Sequence, residues 1–208
     1  MQYFIMNKPA GYITAKRDPR RKTVMELFPP ELQKVLHPVG RLDKDTEGLL
    51  LFTDDGKLDE FLLRPEHHVE KEYEFRAFGR LGQAECDLLA QGVVLEGTEI
   101  MAKPGKAVIL GYTTIGACEE LLPPLRKKHF MKNPERPVTQ GRLTITEGRK
   151  HQVKLMIKAV GAHVFTLKRL RIGTLFLDET LLSGQYRSLT EDELAQLGYS
   201  IRSTNSPE

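Results

Sequence analysis

Three carboxylates lie within five residues of the sequence, at Asp43, Asp45 and Glu47. The apolar run at residues 49–52 follows directly, and such a run after a polar turn is typical of a short buried strand. A carboxylate held at the end of a rigid strand can act as a general acid or base, or it can bind Mg²⁺. The same residue types also cap helices and close turns, and by themselves these three carboxylates favour that structural role.

A tyrosine, Tyr73, lies in a segment in which apolar and charged residues alternate. Tyr73, Phe75 and Ala77 fall on one side of this pattern, which predicts a β-strand with one buried face. The strand alone favours a buried core tyrosine.

A helix with a core-facing stripe is predicted near the end of the chain. Its apolar residues follow helical spacing: Val153, Met156, Ile157 and Val160. Lys150, Lys154 and Lys158 form a basic stripe on the flank of that face. Surface lysine is common, so this pattern alone favours solvated side chains.

Histidine and cysteine, the other common metal ligands, are sparse. His67 and His68 are adjacent, but they lack a cysteine or carboxylate at a spacing typical of ligands, so we predict no metal site. Cys86 and Cys118 form no motif, which is typical of reduced thiols in a cytoplasmic protein.

The length and charge of the chain suit a soluble protein with a phosphate-binding surface. Its 208 residues predict one domain, or two lobes sharing a core. No apolar run reaches the ~18 residues of a membrane span, and the N-terminus lacks the basic leader of a secretory signal. The net charge is +3, and basic residues cluster at 16–22, 126–129 and 168–171. Together the clusters favour a surface that follows a phosphate backbone.

Strand and helix patterns are mixed without a steady βαβ rhythm, which predicts an α+β fold around a layered sheet. Further strands are predicted at 3–6, 12–14, 93–95, 107–110, 142–146, 164–167 and 174–177. Further helices are predicted at 57–63 and 83–91, after a capping box at 190–193, and after a capping box at 23–26, where the helix ends before Pro29. Residues 121–137 are predicted to form a long loop. We assign one domain to residues 1–202 and predict disorder at 203–208.

Four blocks of sequence resemble the pseudouridine synthases, in particular the RsuA-like family that modifies ribosomal RNA. The blocks are residues 7–12, 40–43 with 46–49, 67–73, and 146–154; a looser fifth block spans 171–190. Any single block could arise by chance. All of them occur in the family's order and span nearly the whole chain, which makes the resemblance specific.

The resemblance implies a fold and a reaction. It implies a mixed, largely antiparallel central sheet flanked by helices and loops, with a cleft between two lobes. The implied reaction is the conversion of uridine in RNA to pseudouridine, with no cofactor. Asp43 matches the family's catalytic aspartate, whereas Asp45 and Glu47 are assigned to hydrogen bonds within the loop.

Four other residues receive roles from the same comparison of motifs. Lys154 matches the basic residue that pairs with the aspartate, and Tyr73 matches the active-site tyrosine. Arg41 is expected to hold the flipped nucleotide and Val153 to line the base pocket.

One departure from the family concerns target choice. Most members begin with a small RNA-binding domain. Here the sequence that resembles the catalytic domain starts at residue 3, so we expect the RNA-binding domain to be absent. The expected partner is ribosomal RNA or a subunit precursor, with the small subunit favoured and a monomer expected. The alternatives are large-subunit RNA, a non-catalytic RNA-binding or ribosome-assembly module, and a phosphohydrolase in which the three carboxylates hold Mg²⁺.

Overall fold

Nine strands lie within residues 1–198, the part of the chain that this computed structural model describes. They are Tyr3–Lys8 (β1), His37–Val39 (β2), Glu47–Thr53 (β3), Lys71–Phe78 (β4), Lys106–Thr114 (β5), Pro137–Ile145 (β6), His163–Ile172 (β7), Leu175–Phe176 (β8) and Tyr186–Ser188 (β9). The predicted tail at 203–208 and the domain boundary at 202 lie outside the described residues.

Six α-helices accompany the strands in the same part of the chain. They are Pro30–Val35 (α1), Gly56–Leu63 (α2), Gln83–Gln91 (α3), Pro124–Phe130 (α4), Gln152–Ala159 (α5) and Glu191–Gln196 (α6). Short 3₁₀ turns occur at Val24–Leu27, Pro65–His67 and Gly116–Leu121. None of the described helices combines the length and apolar character needed to cross a membrane.

The strands form one mixed sheet in the order β5-β6-β4-β7-β3-β1-β9, with β2 beside β3 and β8 beside β7. The pairing of β3 with β7 is parallel and the other pairings are antiparallel. The predicted α+β fold with a largely antiparallel sheet is therefore confirmed.

Both faces of β3 are buried. Its run of continuous apolar residues, with no alternating polar ones, suits a strand that packs on both faces. Leu50 and Phe52 enter the main core, which also contains Tyr73 and Phe75 of β4. Leu49 points to the opposite face, into a second core formed with α2 and α6. The strand thus holds the loop before it on a rigid support.

The junction of β3 with β7 is short. It consists of the pairs Glu47–Lys168 and Gly48–Arg169. Gly48 has φ +98°, and a Cβ placed there would lie 2.3 Å from the carbonyl oxygen of Arg169. Glycine is therefore required for the two backbones to approach this closely.

The strands predicted at 3–6, 107–110, 142–146, 164–167 and 174–177 overlap β1, β5, β6, β7 and β8 and are confirmed. The strand predicted at 12–14 is wrong, since Ile13 forms only a single bridge with Thr23. The helix at 83–91 matches α3, and the predictions for α2, α5 and β4 are also confirmed. The strand predicted at 93–95 is wrong, since only a single bridge joins Val94 to Met101. The segment at 121–137 is not simply a loop, because it contains α4.

Candidate active site

The loop that carries Asp43 is held by a buried lysine at the end of β1. Lys8 is fully buried, and its Nζ donates to the carbonyl oxygens of Thr46 at 2.7 Å, Pro9 at 3.0 Å, Asp43 at 3.1 Å and Lys44 at 3.5 Å. One ammonium group therefore gathers the backbone of the whole turn. Lysine suits this position because it has several donors and no acceptor.

Burial also changes the protonation of this lysine. Desolvation lowers the pKa of Lys8 to about 8, although the nearby carboxylates of Asp45, Glu47 and Asp43 oppose the shift.

The residue before Asp43 is fixed by a separate contact. The Thr14 hydroxyl donates to the carbonyl oxygen of Leu42 at 2.8 Å and accepts from the Leu42 N–H at 3.1 Å. The Leu42 side chain is buried in the main core. The backbone around Asp43 is thus anchored on both sides, which leaves the carboxylate as the group that projects from it.

Lys154, in the first turn of α5, pairs with two carboxylates of this loop. Its Nζ lies 3.0 Å from Oδ2 of Asp43 and 2.6 Å from Oδ1 of Asp45. The side chains of Lys154 and Asp43 are 23% and 25% exposed, whereas that of Asp45 is 74% exposed. The site is therefore a partly sheltered ion pair with a second, solvated carboxylate on its outer side.

The outer carboxylate, Asp45, has an additional contact that the sequence did not suggest. It was assigned to hydrogen bonding within the loop, and the structure adds the ion pair with Lys154. Partial burial raises the pKa of Asp45, but the hydrogen bond and charge of Lys154 more than offset this, so the pKa lies below its usual value.

A histidine approaches the other oxygen of Asp43. His151 Nε2 lies 3.5 Å from Asp43 Oδ1. His151 is the residue that precedes α5, and it has a left-handed backbone with φ +56°. That conformation is unfavourable for residues other than glycine. The buried Glu147 supports it, accepting from the Gln152 amide at 2.6 Å and the Lys103 N–H at 2.8 Å.

Tyr73 lies on β4 beside the β3–β7 junction, which directly follows the Asp43 loop. It is directly opposite Arg169 of β7, and Arg169 is in turn paired with Gly48. Tyr73 is 8% exposed and Arg169 is 4% exposed. Arg169 Nε donates to the carbonyl oxygen of Leu49 at 2.8 Å, and its Nη1 lies 3.5 Å from the Tyr73 hydroxyl.

The two residues expected to bind the nucleotide differ in exposure. Arg41 is exposed, and its side chain has no ion-pair or hydrogen-bond partner within residues 1–198. Val153 is buried in the main core together with Tyr73 and Leu42, next to Lys154 in sequence. Val153 thus contributes to the packing that supports α5.

The carboxylate cluster is not arranged like a metal site. Within the described chain, no three side chains of His, Cys, Asp or Glu are grouped as metal ligands. The Lys154 ammonium lies between Asp43 and Asp45, where a cation would otherwise join them. Glu47, the third carboxylate, begins β3 instead.

Sequence patterns did not single out Lys8, His151 or Arg169. Lys8 occurs in a short Lys-Pro turn motif that is weak by itself. Arg169 is one basic residue in a basic cluster, and only the fold shows that it is buried.

Comparison with known proteins supports a single family. Residues 2–159 match the family model described as RNA pseudouridylate synthase. The ribosomal small subunit pseudouridine synthase A of Escherichia coli K12 is 39% identical over 196 residues, covering 94% of this chain and 74% of that protein. An uncharacterised RNA pseudouridine synthase of Bacillus subtilis is 42% identical over 193 residues, covering 92% and 71%.

A solved structure leads to the same family. A crystal structure of a pseudouridylate synthase superposes with a TM-score of 0.77 and 35% identity, covering 94% of this chain and 73% of that one.

Proposed function

Because this chain belongs to the RNA pseudouridylate synthase family, we propose that it converts a specific uridine of ribosomal RNA to pseudouridine, with Asp43 as the catalytic carboxylate and no cofactor. The observation that carries the proposal is the partly sheltered ion pair of Asp43 and Lys154, which forms where the loop before the buried strand β3 meets α5. Small-subunit RNA is the favoured target, since the Escherichia coli relative is named for that subunit.

The reaction rearranges one nucleotide without net loss of atoms. The bond between C1′ and N1 breaks, the uracil turns, C5 joins C1′, and a proton leaves C5 while N1 gains one. An ionised carboxylate beside C1′ stabilises the positive charge that develops there. Lys154 supplies the opposite charge that such a carboxylate needs once the nucleotide excludes water.

The other residues of the site bind and orient the nucleotide. A base within folded RNA must be flipped out before an enzyme can reach it. Stacking of the base on Tyr73 contributes ~1–3 kcal/mol toward this cost. Arg41 is free to bind a phosphate. Val153 lines the base pocket beside Lys154. All of these residues come from one chain, so a monomer suffices, and a ribosomal RNA substrate implies a cytoplasmic protein.

Exchange of Asp43 for Asn tests the catalytic assignment. The amide keeps the shape of the side chain and loses its charge, so we expect pseudouridine formation to disappear while folding and RNA affinity are retained. Asp45→Asn is the matched control, since it makes the same change on the outer side of Lys154. We expect it to retain turnover within about tenfold because exposed ion pairs contribute little. Appreciable turnover by Asp43→Asn would refute the assignment.

Mapping of pseudouridine across ribosomal RNA, with and without the protein, identifies the target. A new site in small-subunit RNA supports the favoured target, and a site in large-subunit RNA corrects it. Binding of ribosomal RNA without any new pseudouridine would indicate an assembly module. Pseudouridine formation that persists in EDTA, with the RNA kept folded, would exclude the alternative that the protein is a magnesium-dependent phosphohydrolase.

A further inference from the structure

Arg169 is a buried cation that the proposed reaction does not yet use. Its side chain lies beneath the site, where Nε binds the Leu49 carbonyl oxygen and Nη1 approaches the Tyr73 hydroxyl at 3.5 Å. Its Nη2 is buried and has no hydrogen-bond partner within residues 1–198. Such a group is costly to bury, and an unpaired buried polar atom in a native protein calls for an explanation.

The chemistry of the guanidinium group fixes the direction of its contact with Tyr73. Arginine has donors and no acceptor, so the Tyr73 oxygen can only accept from Nη1. The hydroxyl proton of Tyr73 must then be donated elsewhere. The tyrosine retains 8% exposure, and under the proposed function this exposed edge is the side that meets the base.

A second buried cation strengthens the positive potential under the tyrosine. Lys71 is on the same face of β4 as Tyr73, and its Nζ donates to the Val69 carbonyl oxygen at 2.9 Å. Desolvation, together with the charge of Arg169, lowers the pKa of Lys71 to about 8. Within the described residues, neither cation forms an ion pair with a carboxylate. This side of the pocket therefore favours an anion.

We propose that Arg169 is a positioning residue that directs the Tyr73 hydroxyl toward a carbonyl oxygen of the departing uracil. This inference rests on the proposed function. When the bond from C1′ to N1 breaks, both electrons move to uracil, and the negative charge spreads over N1 and the two carbonyl oxygens. Tyr73 donates a hydrogen bond to that charge without transferring its proton. Donors aimed at charge that develops during the reaction can each contribute ~10²–10³-fold in rate.

The test compares two RNA substrates under single-turnover conditions with enzyme in excess. One contains uridine and the other 5-fluorouridine at the target, whose more electron-poor ring is a better leaving group. Because the fluorine blocks the final proton loss at C5, consumption of the starting nucleoside is measured for both. We expect Arg169→Gln to slow uridine by ~10²-fold and 5-fluorouridine by about tenfold or less. Arg169→Lys, which keeps the charge, should recover part of the rate.

Matched variants separate this role from a structural one. Arg142→Gln changes an arginine of the neighbouring strand β6 that lies near Glu72 and Glu74, outside the basic clusters, and it should leave both rates unchanged. Tyr73→Phe, like Arg169→Gln, should slow the uridine substrate more than the 5-fluorouridine substrate. The double variant with Tyr73→Phe and Arg169→Gln should be no slower than Tyr73→Phe alone. If Arg169→Gln fails to fold, Arg169→Lys with the two substrates, alone and combined with Tyr73→Phe, still tests the role of Arg169.

Equal slowing of the two substrates, or additive losses in the double variant, would overturn the inference. Those outcomes leave the proposed function intact as long as the wild-type protein forms pseudouridine. A wild-type protein that forms none would instead refute the proposed function itself.

Discussion

At the scale of single residues, the two contacts of Lys154 have different consequences. The shorter one joins it to Asp45, which is mostly exposed, and the longer one joins it to Asp43, which is sheltered. Solvent screens an exposed pair strongly, and a bound nucleotide would remove water mainly from the sheltered pair. Under the proposed function, the 3.0 Å contact between Lys154 and Asp43 is therefore the one whose energy should change when substrate binds.

Exchange of Lys154 for Ala should lower turnover by ~10²–10³-fold with a small effect on RNA affinity, because the sheltered carboxylate loses its countercharge. Single-turnover pseudouridine formation measures this. Lys158→Ala is the control, since Lys158 lies one turn later on α5 and forms an exposed pair with Glu96. An unchanged rate for Lys154→Ala would show that another residue compensates the charge of Asp43.

The residues of this pair were predictable for a specific reason. Asp43 and Lys154 belong to continuous motifs whose wording resembles a known family, although charge pattern alone favoured a turn residue and a solvated lysine. Arg169 lies outside these motifs, and His151 lies in the same block as Lys154 but received no role from it. Their importance depends on burial and on a left-handed backbone, which arise only when distant strands meet.

At the scale of elements, Lys8 joins the end of β1 to the turn before β3. Its exchange for Met would leave four backbone carbonyl groups without this donor. We expect a loss of ~3 kcal/mol in the free energy of unfolding, together with reduced turnover as the Asp43 loop shifts. Urea denaturation measures the first and pseudouridine formation the second.

Lys57→Met is the control for Lys8, because it removes an exposed lysine from the first turn of α2. Equal stability of the two variants would mean that the turn holds its shape without the buried ammonium.

The accuracy of the predicted elements did not depend on the length of their patterns alone. The helix at 83–91 and the helix that carries Val153 and Ile157 were found, and so were the short strands at 107–110 and 164–167. The helix at Pro124–Phe130 depends instead on tertiary contacts, since Phe130 packs against Phe78 with ring centroids 4.5 Å apart. A seven-residue helix rich in basic side chains has little stability of its own.

At the scale of the whole molecule, buried lysines make stability depend on pH. Lys71 has a pKa of about 8 in the folded protein against 10.5 when unfolded, so between these values the unfolded chain binds more protons. The free energy of unfolding should therefore rise with pH in this window, by up to ~1.4 kcal/mol per pH unit from this residue and ~3 kcal/mol in all.

Lys71→Met should remove the contribution of Lys71 to the rise of the free energy of unfolding with pH. Near pH 7, where burying the Lys71 charge costs most, this variant should be more stable than the wild-type protein. Urea denaturation of both proteins from pH 7 to pH 10.5 measures the difference. Lys8, which contributes a slope of the same sign, is unchanged in both proteins and cancels from the comparison. Parallel curves for the two proteins would contradict the prediction.

The short junction between β3 and β7 gives the ion pair a second consequence. Asp43 precedes β3, and Lys154 belongs to the helix that leads into β7, so their contact bridges the two parts of the sheet where only two residue pairs join the backbones. The ion pair therefore helps to hold the two parts of the sheet together, in addition to supplying charge. Under the proposed function the nucleotide binds beside Asp43, so RNA binding should disturb this ion pair and, through it, the packing between the two parts of the sheet.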